Sequence, residues 1–122
     1  RLDIGWAALN RGDPAAARSA ADAQLAATPD DDAALRLMAE AQQRLGGDAA
    51  ARPWLKRLLA QVPDAGRERA ELLGRLGRRR EALALVAGLR RETPHDGTLA
   101  ALEARLLIAD GRPGAARRVL AP

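Results

Sequence analysis

The chain has 122 residues and a formal net charge of +4, which is enough sequence for one domain with a modest core. It contains no cysteine, which excludes disulfides and thiolate metal sites, and no apolar run approaches the roughly 20 residues that cross a bilayer. Phe and Tyr are absent, β-branched residues are few, and Ala and Leu supply most apolar side chains. This composition favours helices over a sheet, and we predict an all-α chain.

The predicted helices alternate with short turns. In chain order they span residues 2–11, 14–27, 31–45, 48–61, 66–76, 79–92 and 97–109, with a last helix after Pro113. Asp13 and Pro14 make a favourable helix start, because Asp accepts from free amides and Pro suits the first helical position. Pro53 falls inside the fourth predicted helix and lacks an amide donor, so we expect a kink there or a later start.

Charged runs begin two of these helices. The three aspartates at 30–32 resemble a cation site, but capping and a favourable interaction with the helix dipole explain them without a ligand. The three arginines at 78–80 lie where the dipole disfavours cations, so they are a candidate for contact with an anion, although basic runs are usually only solvated. His95 is the sole histidine and has no neighbouring nucleophile or ligand that would make a site.

A unit of about 34 residues recurs along the chain. The turn glycines, separated by 34, 31 and 34 residues, are Gly12, Gly46, Gly77 and Gly111. The prolines that end each second helix keep the same register at Pro29, Pro63 and Pro94. A small residue follows each glycine by five places, at Ala17, Ala51, Ala82 and Ala116. These landmarks predict four helix–turn–helix units, at about 1–29, 30–63, 64–94 and 95–122.

This unit resembles the tetratricopeptide repeat (TPR), and the likeness covers essentially the whole chain. In that family two helices pack most closely at the alanine after the turn. The glycine of the family's first helix is matched by Gly5, Ala39, Ala70 and Ala104. The family's bulky aromatics are missing, and some of their places are taken by Leu35, Leu73 and Leu107. The resemblance implies a right-handed superhelix (solenoid) of degenerate repeats. Pentatricopeptide repeats, which bind RNA, have a similar period but fit the prolines and small residues less well.

Both terminal units are incomplete, and the chain does not begin with Met, so we expect a segment of a longer array. Val119 and Leu120 near the last open end favour a following helix. In isolation, self-association through the open ends is an alternative.

In TPR arrays the first helices line a concave face, and the resemblance implies the residues that face inward here. They are Trp6, Leu9, Asn10, Arg36, Glu40, Gln43, Arg44, Arg67, Glu71, Arg75, Arg105 and Ile108. Five arginines against two glutamates suit an acidic peptide or an anionic polymer, because Arg pairs bidentately with carboxylates. The simpler alternative is pairing along each helix, since Glu40 and Arg75 each lie four residues after an opposite charge.

The favoured function is a non-catalytic scaffold that recruits a partner protein. The Arg-lined concave face would bind an acidic surface or peptide of that partner. The Lys and Asn pattern of the family's carboxylate clamp is absent, which disfavours binding of chaperone tails. A pI near 11.1 allows nucleic-acid binding, but stacking aromatics are almost missing and acids interrupt the basic residues. The sequence contains no nucleophile with a base, no paired catalytic carboxylates and no metal constellation, so we expect no enzymatic activity, cofactor or metal.

Degenerate TPR arrays rich in Ala, Leu and Arg also resemble the periplasmic scaffolds of bacterial outer-membrane exopolysaccharide exporters, the Pel system in particular. That resemblance implies a place in biofilm matrix assembly, on the periplasmic side of the outer membrane, with a polysaccharide-modifying enzyme as partner. A cytoplasmic TPR adaptor is the alternative.

Overall fold

The computed structural model describes residues 2–63 and 66–121 of the chain. Over these residues all regular secondary structure is helical, which confirms the predicted all-α class. The seven helices are α1 (Leu2–Asn10), α2 (Pro14–Ala27), α3 (Asp32–Leu59), α4 (Arg67–Arg75), α5 (Arg79–Glu92), α6 (Gly97–Ala109) and α7 (Pro113–Leu120).

The chain divides into two compact units, Arg1–Gln61 and Val62–Pro122. In the first unit, α1, α2 and α3 all contact one another. In the second unit, α5 contacts α4 and α6, while α6 also contacts α4 and α7. Each unit therefore corresponds to about two of the four predicted sequence repeats.

The two units repeat each other at an offset of 65 residues, the distance from Gly12 to Gly77. Further residues at this offset are Ala17 and Ala82, Pro29 and Pro94, Gly46 and Gly111, and Ala51 and Ala116. Each position in one unit therefore has a counterpart in the other, which allows the packing of the two units to be compared residue by residue.

The turns after α1, α4 and α6 have the same hydrogen-bonded form. After α1, the Gly12 N–H donates to a carbonyl three residues earlier at 3.0 Å, and the Asp13 N–H donates to one five residues earlier at 2.8 Å. The turns at Gly77 and Gly111 repeat this pair of bonds. The three glycines have φ values of 82°, 81° and 77°, in the left-handed region that costs other residues roughly 1–2 kcal/mol. This Schellman arrangement satisfies carbonyls at the end of each helix.

The second repeat turns differently. Gly47 has a non-helical backbone (φ 74°, ψ −159°) and interrupts α3, whereas Gly46 is not among the residues with positive φ. The turn was expected at the Gly46-Gly47 pair, and its left-handed residue is Gly47, one position after the glycine that keeps the repeat register, because either member of the pair can adopt that conformation. The helix continues through Gly46, so α3 consists of two segments, 32–46 and 48–59.

The second segment of α3 continues through Pro53, so the helix does not begin after the proline, which was one of the two expected outcomes. The non-helical residue in this helix is Gly47, six positions earlier. Because Pro53 has no N–H group, the Ala49 carbonyl, four residues earlier, lacks its helical hydrogen-bond donor. Ala49 is exposed to solvent, so water can satisfy that carbonyl and the helix tolerates the proline.

The helices α2 and α5 end at matching Thr-Pro turns. The N–H groups of Thr28 and Thr93 donate to carbonyls four residues earlier, and each threonine carbonyl accepts from the residue three positions later at 3.1 Å. Pro29 and Pro94 follow the threonines and cannot continue the helix. Pro63 lies beyond the end of α3, in the connection to the second unit.

Small residues occupy the closest contacts between helices. The alanines after the turns are at most 2% exposed: Ala17, Ala51, Ala82 and Ala116. Matching residues in α1, α3, α4 and α6 are also buried: Gly5, Ala39, Ala70 and Ala104. A Cβ atom on Gly5 would overlap the side chain of Leu37 and lie 3.1 Å from the Cβ of Ala20. Glycine is therefore needed where α1 meets both α2 and α3.

Leucines supply most of the larger side chains of the core. The leucines that take the places of TPR aromatics are at most 5% exposed: Leu35, Leu73 and Leu107. Leu120 aligns with buried residues of the other repeats but is 58% exposed at the end of α7. Four other large apolar residues are also exposed, by at least 37%: Ile4, Trp6, Leu45 and Ile108.

Two glycine substitutions in the second unit should shift stability in opposite directions. Gly77→Ala should lower the free energy of unfolding by about 1 kcal/mol, because alanine must adopt a φ of 81°. Gly88→Ala should raise it by about 0.5–1 kcal/mol, because a Cβ in the middle of α5 meets its nearest atom at 3.6 Å. Urea denaturation followed by circular dichroism measures both. A stabilising Gly77→Ala would show that residue 77 is not left-handed.

Candidate functional site

A cavity of about 330 Å³ opens between α4 and α6 in the second unit, and we call it the α4–α6 groove. Its apolar lining consists of Gly74 from α4 with Leu102, Leu106 and Ala109 from α6. Its charged lining consists of Glu71, Arg75 and Arg105. Three residues predicted to face the partner are therefore brought together around one cavity.

Helical spacing explains why these side chains converge. Glu71, Gly74 and Arg75 are three and four residues apart, so they share one face of α4. Residues 102–109 supply the lining from α6 at spacings of three or four, with Arg105 beside them. Leu102 and Leu106 are buried whereas Arg105 is exposed, which gives the groove an apolar floor and a charged rim.

Arg105 and Glu71 have no hydrogen bond or ion pair with any other described residue. Arg75, by contrast, already has an interaction partner. Other arginines of the second unit are engaged: Arg90 pairs with Glu103, and the Arg67 guanidinium lies 3.5 Å from Asp96. Arg105 is thus a cation available to a ligand at the rim of the groove.

The predicted inward-facing residues of the first unit are largely held by their own unit. The Nη1 of Arg44 donates to the Leu9 carbonyl at 2.6 Å, which ties α3 to the end of α1. Arg36 donates two hydrogen bonds to Asp32 at 3.0 and 3.2 Å, and Gln43 donates to a carboxylate five residues later at 2.9 Å. These contacts stabilise the first unit.

The remaining predicted residues differ in exposure. Leu9 is only 2% exposed and belongs to the core, which corrects its predicted place on an open face. The other members of the predicted set, all exposed or partly buried, are Trp6, Asn10, Glu40 and Ile108.

Sequence reasoning missed the apolar half of the groove. A signal was present in the 65-residue register, because Ala109 corresponds to the large residue Arg44. Gly74 corresponds to Leu9, but Leu106 corresponds to the small Ala41, so these two changes offset each other. The small residue in place of Arg44 indicates an open space between the helices.

The aspartates at 30–32 are used within the first unit. Asp30 accepts two hydrogen bonds from Arg57 at 2.9 and 3.1 Å, and Asp32 accepts from Arg36. Asp31 precedes α3 but its side chain makes no capping hydrogen bond, so the capping expected from the sequence is not formed there. Within residues 2–63 and 66–121, no three His, Asp or Glu side chains are grouped to hold a metal ion.

The basic run at 78–80 combines one paired arginine with two others. The side chain of Arg78 donates to Glu81 at 2.7 and 2.9 Å. This hydrogen bond, assisted by the opposite charge, raises the pKa of Arg78 and lowers the pKa of Glu81. Because Glu81 lies in the first turn of α5, it also offsets the unfavourable interaction between the arginines and the helix dipole.

Two cavities lie at the start of α5, and Arg80 and Asp110 line both. The larger is also lined by Arg112, and the smaller by Arg79 and Glu81. The guanidinium of Arg112 lies 3.7 Å from the Asp110 carboxylate. This end of the second unit is therefore basic but already contains two acidic side chains.

In the part of the chain that the structure describes, none of the helices has the length and apolar character needed to cross a bilayer. Compared with models of known protein families and with curated proteins, the chain matches none. The functional assignment therefore depends on the geometry and charge of the site.

Removing the guanidinium of Arg78 should change the acidity of Glu81. Because the Arg78 hydrogen bond is the largest cause of the lowered pKa, Arg78→Gln should raise the Glu81 pKa toward its ordinary value of 4.5. The pair stabilises the fold above the unfolded pKa of the carboxyl group, and that contribution is lost as the pH falls through the lowered folded pKa. An NMR titration of the Glu81 carboxyl carbon measures the change.

Arg80→Gln is the matched control, because Arg80 is not among the causes of the lowered Glu81 pKa. It should leave the titration of Glu81 unchanged. Equal titration curves for the native chain and Arg78→Gln would contradict the pairing.

Proposed function

We propose that this chain is a non-catalytic interaction module that binds an acidic segment of a partner protein in the α4–α6 groove. The observation that carries the proposal is Arg105, an exposed cation without a partner among the described residues, beside an apolar cavity. Binding sites are typically concave and mostly apolar, with a few convergent polar groups. A guanidinium can hold a carboxylate through two parallel hydrogen bonds, and Arg75 lines the same groove.

The distribution of charge supports an acidic partner at the second unit. The second unit has twelve arginines and eight carboxylate side chains, whereas the first unit has eight basic and eight acidic residues. The whole net charge of +4 therefore belongs to the second unit. A positive field of this kind attracts an acidic segment and raises its rate of association.

The proposal includes the finer architecture implied by the TPR resemblance, a right-handed superhelix in which first helices line the concave face. It is supported by the four buried alanines after the turns and by the recurring Schellman turns. In such an array the α4–α6 groove lies on the face formed by two first helices, and the chain acts as a scaffold that recruits its partner.

The cellular setting that we propose rests only on the resemblance to the scaffolds of bacterial exopolysaccharide exporters. It is the periplasmic scaffold of an outer-membrane exopolysaccharide exporter, with a polysaccharide-modifying enzyme as the recruited partner. Fractionation of the source bacterium, followed by detection of the full-length protein, tests it. A periplasmic or outer-membrane location supports this setting, and a cytoplasmic location would favour the alternative of a cytoplasmic adaptor.

A second candidate function is binding of an anionic polymer such as nucleic acid at the start of α5. The observation that favours it is the pair of cavities, of about 570 and 290 Å³, lined by Arg79, Arg80 and Arg112. Asp110 within both cavities and the pairing of Arg78 count against it. Retention on single-stranded DNA that falls steeply with salt would support this function, and no retention at low salt would exclude it.

Charge reversal in the groove tests the favoured function. Arg75→Glu with Arg105→Glu should reduce capture of the partner from a lysate of the source bacterium at least about tenfold, since hydrogen bonds to charged groups contribute about 1.5–3 kcal/mol each. Quantitative mass spectrometry of the captured proteins measures the loss, after circular dichroism shows the variant to be as helical as the native chain.

The matched control is Arg91→Glu with Arg117→Glu, which makes the same change in net charge at two exposed arginines outside the groove. It should retain the partner. Equal loss in both variants would mean that capture depends only on bulk charge, and full retention by the groove variant would place the interface elsewhere.

A further inference from the structure

We infer that the α4–α6 groove takes one branched aliphatic side chain, of leucine size, from a partner segment in which carboxylates flank that residue. The inference rests on the proposed function and specifies its ligand. The apolar floor would bind the aliphatic side chain, while Arg105 would bind a flanking carboxylate and Arg75 would add positive charge to the same groove.

The comparison with the first unit explains why a space exists here. At the 65-residue offset, Ala109 and Gly74 correspond to Arg44 and Leu9. In the first unit the Arg44 side chain crosses from α3 to α1 and donates to the Leu9 carbonyl at 2.6 Å, while the Leu9 side chain is buried in the core. Ala109 has no side chain that can cross the gap. The loss of the Leu9 side chain at Gly74 is offset by Leu106, which stands where the first unit has the small Ala41, so the space comes mainly from Ala109 in place of Arg44.

The end of the Leu106 side chain occupies the place where a Cβ atom on residue 74 would lie. An ideal Cβ on Gly74 would lie 2.7 Å from the Cδ2 of Leu106, so these two residues are already in close contact. The remaining space is bounded by Leu102 on the same helix and by the exposed Ala109. The volume of about 330 Å³ is near the lower bound of about 300 Å³ for ligand pockets, which suits a single side chain.

The chemistry of the floor selects an apolar group. Gly74, Leu102, Leu106 and Ala109 present no polar side-chain atom, so a hydroxyl or amide bound there would lose its hydrogen bonds to water without replacement. A hydrocarbon side chain is favoured instead because it removes apolar surface from water on both partners. Arg105 and Arg75 at the same groove then favour acidic neighbours on either side of that residue.

Three fluorescein-labelled peptides are the probes: Glu-Glu-Leu-Glu-Glu, Glu-Glu-Ala-Glu-Glu and Lys-Lys-Leu-Lys-Lys. Fluorescence anisotropy measures the Kd of each for the whole chain. The acidic leucine peptide should bind about 10- to 50-fold more tightly than the acidic alanine peptide, because it buries three more carbon atoms. The lysine peptide should bind most weakly of the three.

Ala109→Met is the variant that blocks the groove. It adds an uncharged, flexible side chain at an exposed helical position that lines the groove, and it should abolish the preference for the leucine peptide over the alanine peptide. Ala101→Met is the matched control on α6, also exposed but outside the groove, and it should keep the preference. Thermal unfolding of both variants shows whether each remains folded.

The outcomes separate this inference from the proposed function. Equal affinity for the two acidic peptides, or a leucine preference that survives Ala109→Met, would overturn the aliphatic pocket and leave recognition of acidic segments intact. Tight binding of the lysine peptide with the leucine preference retained would overturn the acidic specificity but keep the pocket. No binding of any peptide would overturn both.

Discussion

The packing of each unit depends on side chains no larger than alanine at the points where neighbouring helices approach most closely. Ala17 and Ala82 are fully buried at equivalent positions, and Gly5 lies where even a methyl group would overlap Leu37. The absence of Phe and Tyr is consistent with this geometry, because helices that approach closely leave little volume between them. A larger residue at these positions would separate two helices at once and would therefore disturb more than its own contacts.

The fold was largely predictable from the sequence because its signals are local. Prolines, Schellman glycines and helix-forming stretches act within a few residues, and the helices begin and end close to where they were expected. The prediction was less specific where two local solutions compete, at Gly46 and Gly47, and at Pro53, where a solvent-exposed carbonyl makes the proline tolerable. Neither outcome is decided by the local sequence alone.

The candidate site was predictable only in part. The charged rim of the groove followed from the TPR resemblance, which implies that Arg75 and Arg105 face inward from the first helices of their repeats. The cavity itself depends on whether side chains fill the space between α4 and α6. That filling is a property of tertiary packing. The two units illustrate the difference: Arg44 bonds to a carbonyl of its own unit, whereas Arg105 has no such partner among the described residues. Similar arginines thus stabilise one unit and remain available to a ligand in the other.

The constant 65-residue offset bears on how the surfaces of the two units differ. The two units align in sequence without insertions, so Arg44 and Ala109 occupy corresponding positions on their helices, although the turns that follow them differ. A difference in one side chain can therefore open a cavity in one unit while the other unit keeps its own packing. Two units built on one register can thus differ in what they recognise through a few side chains.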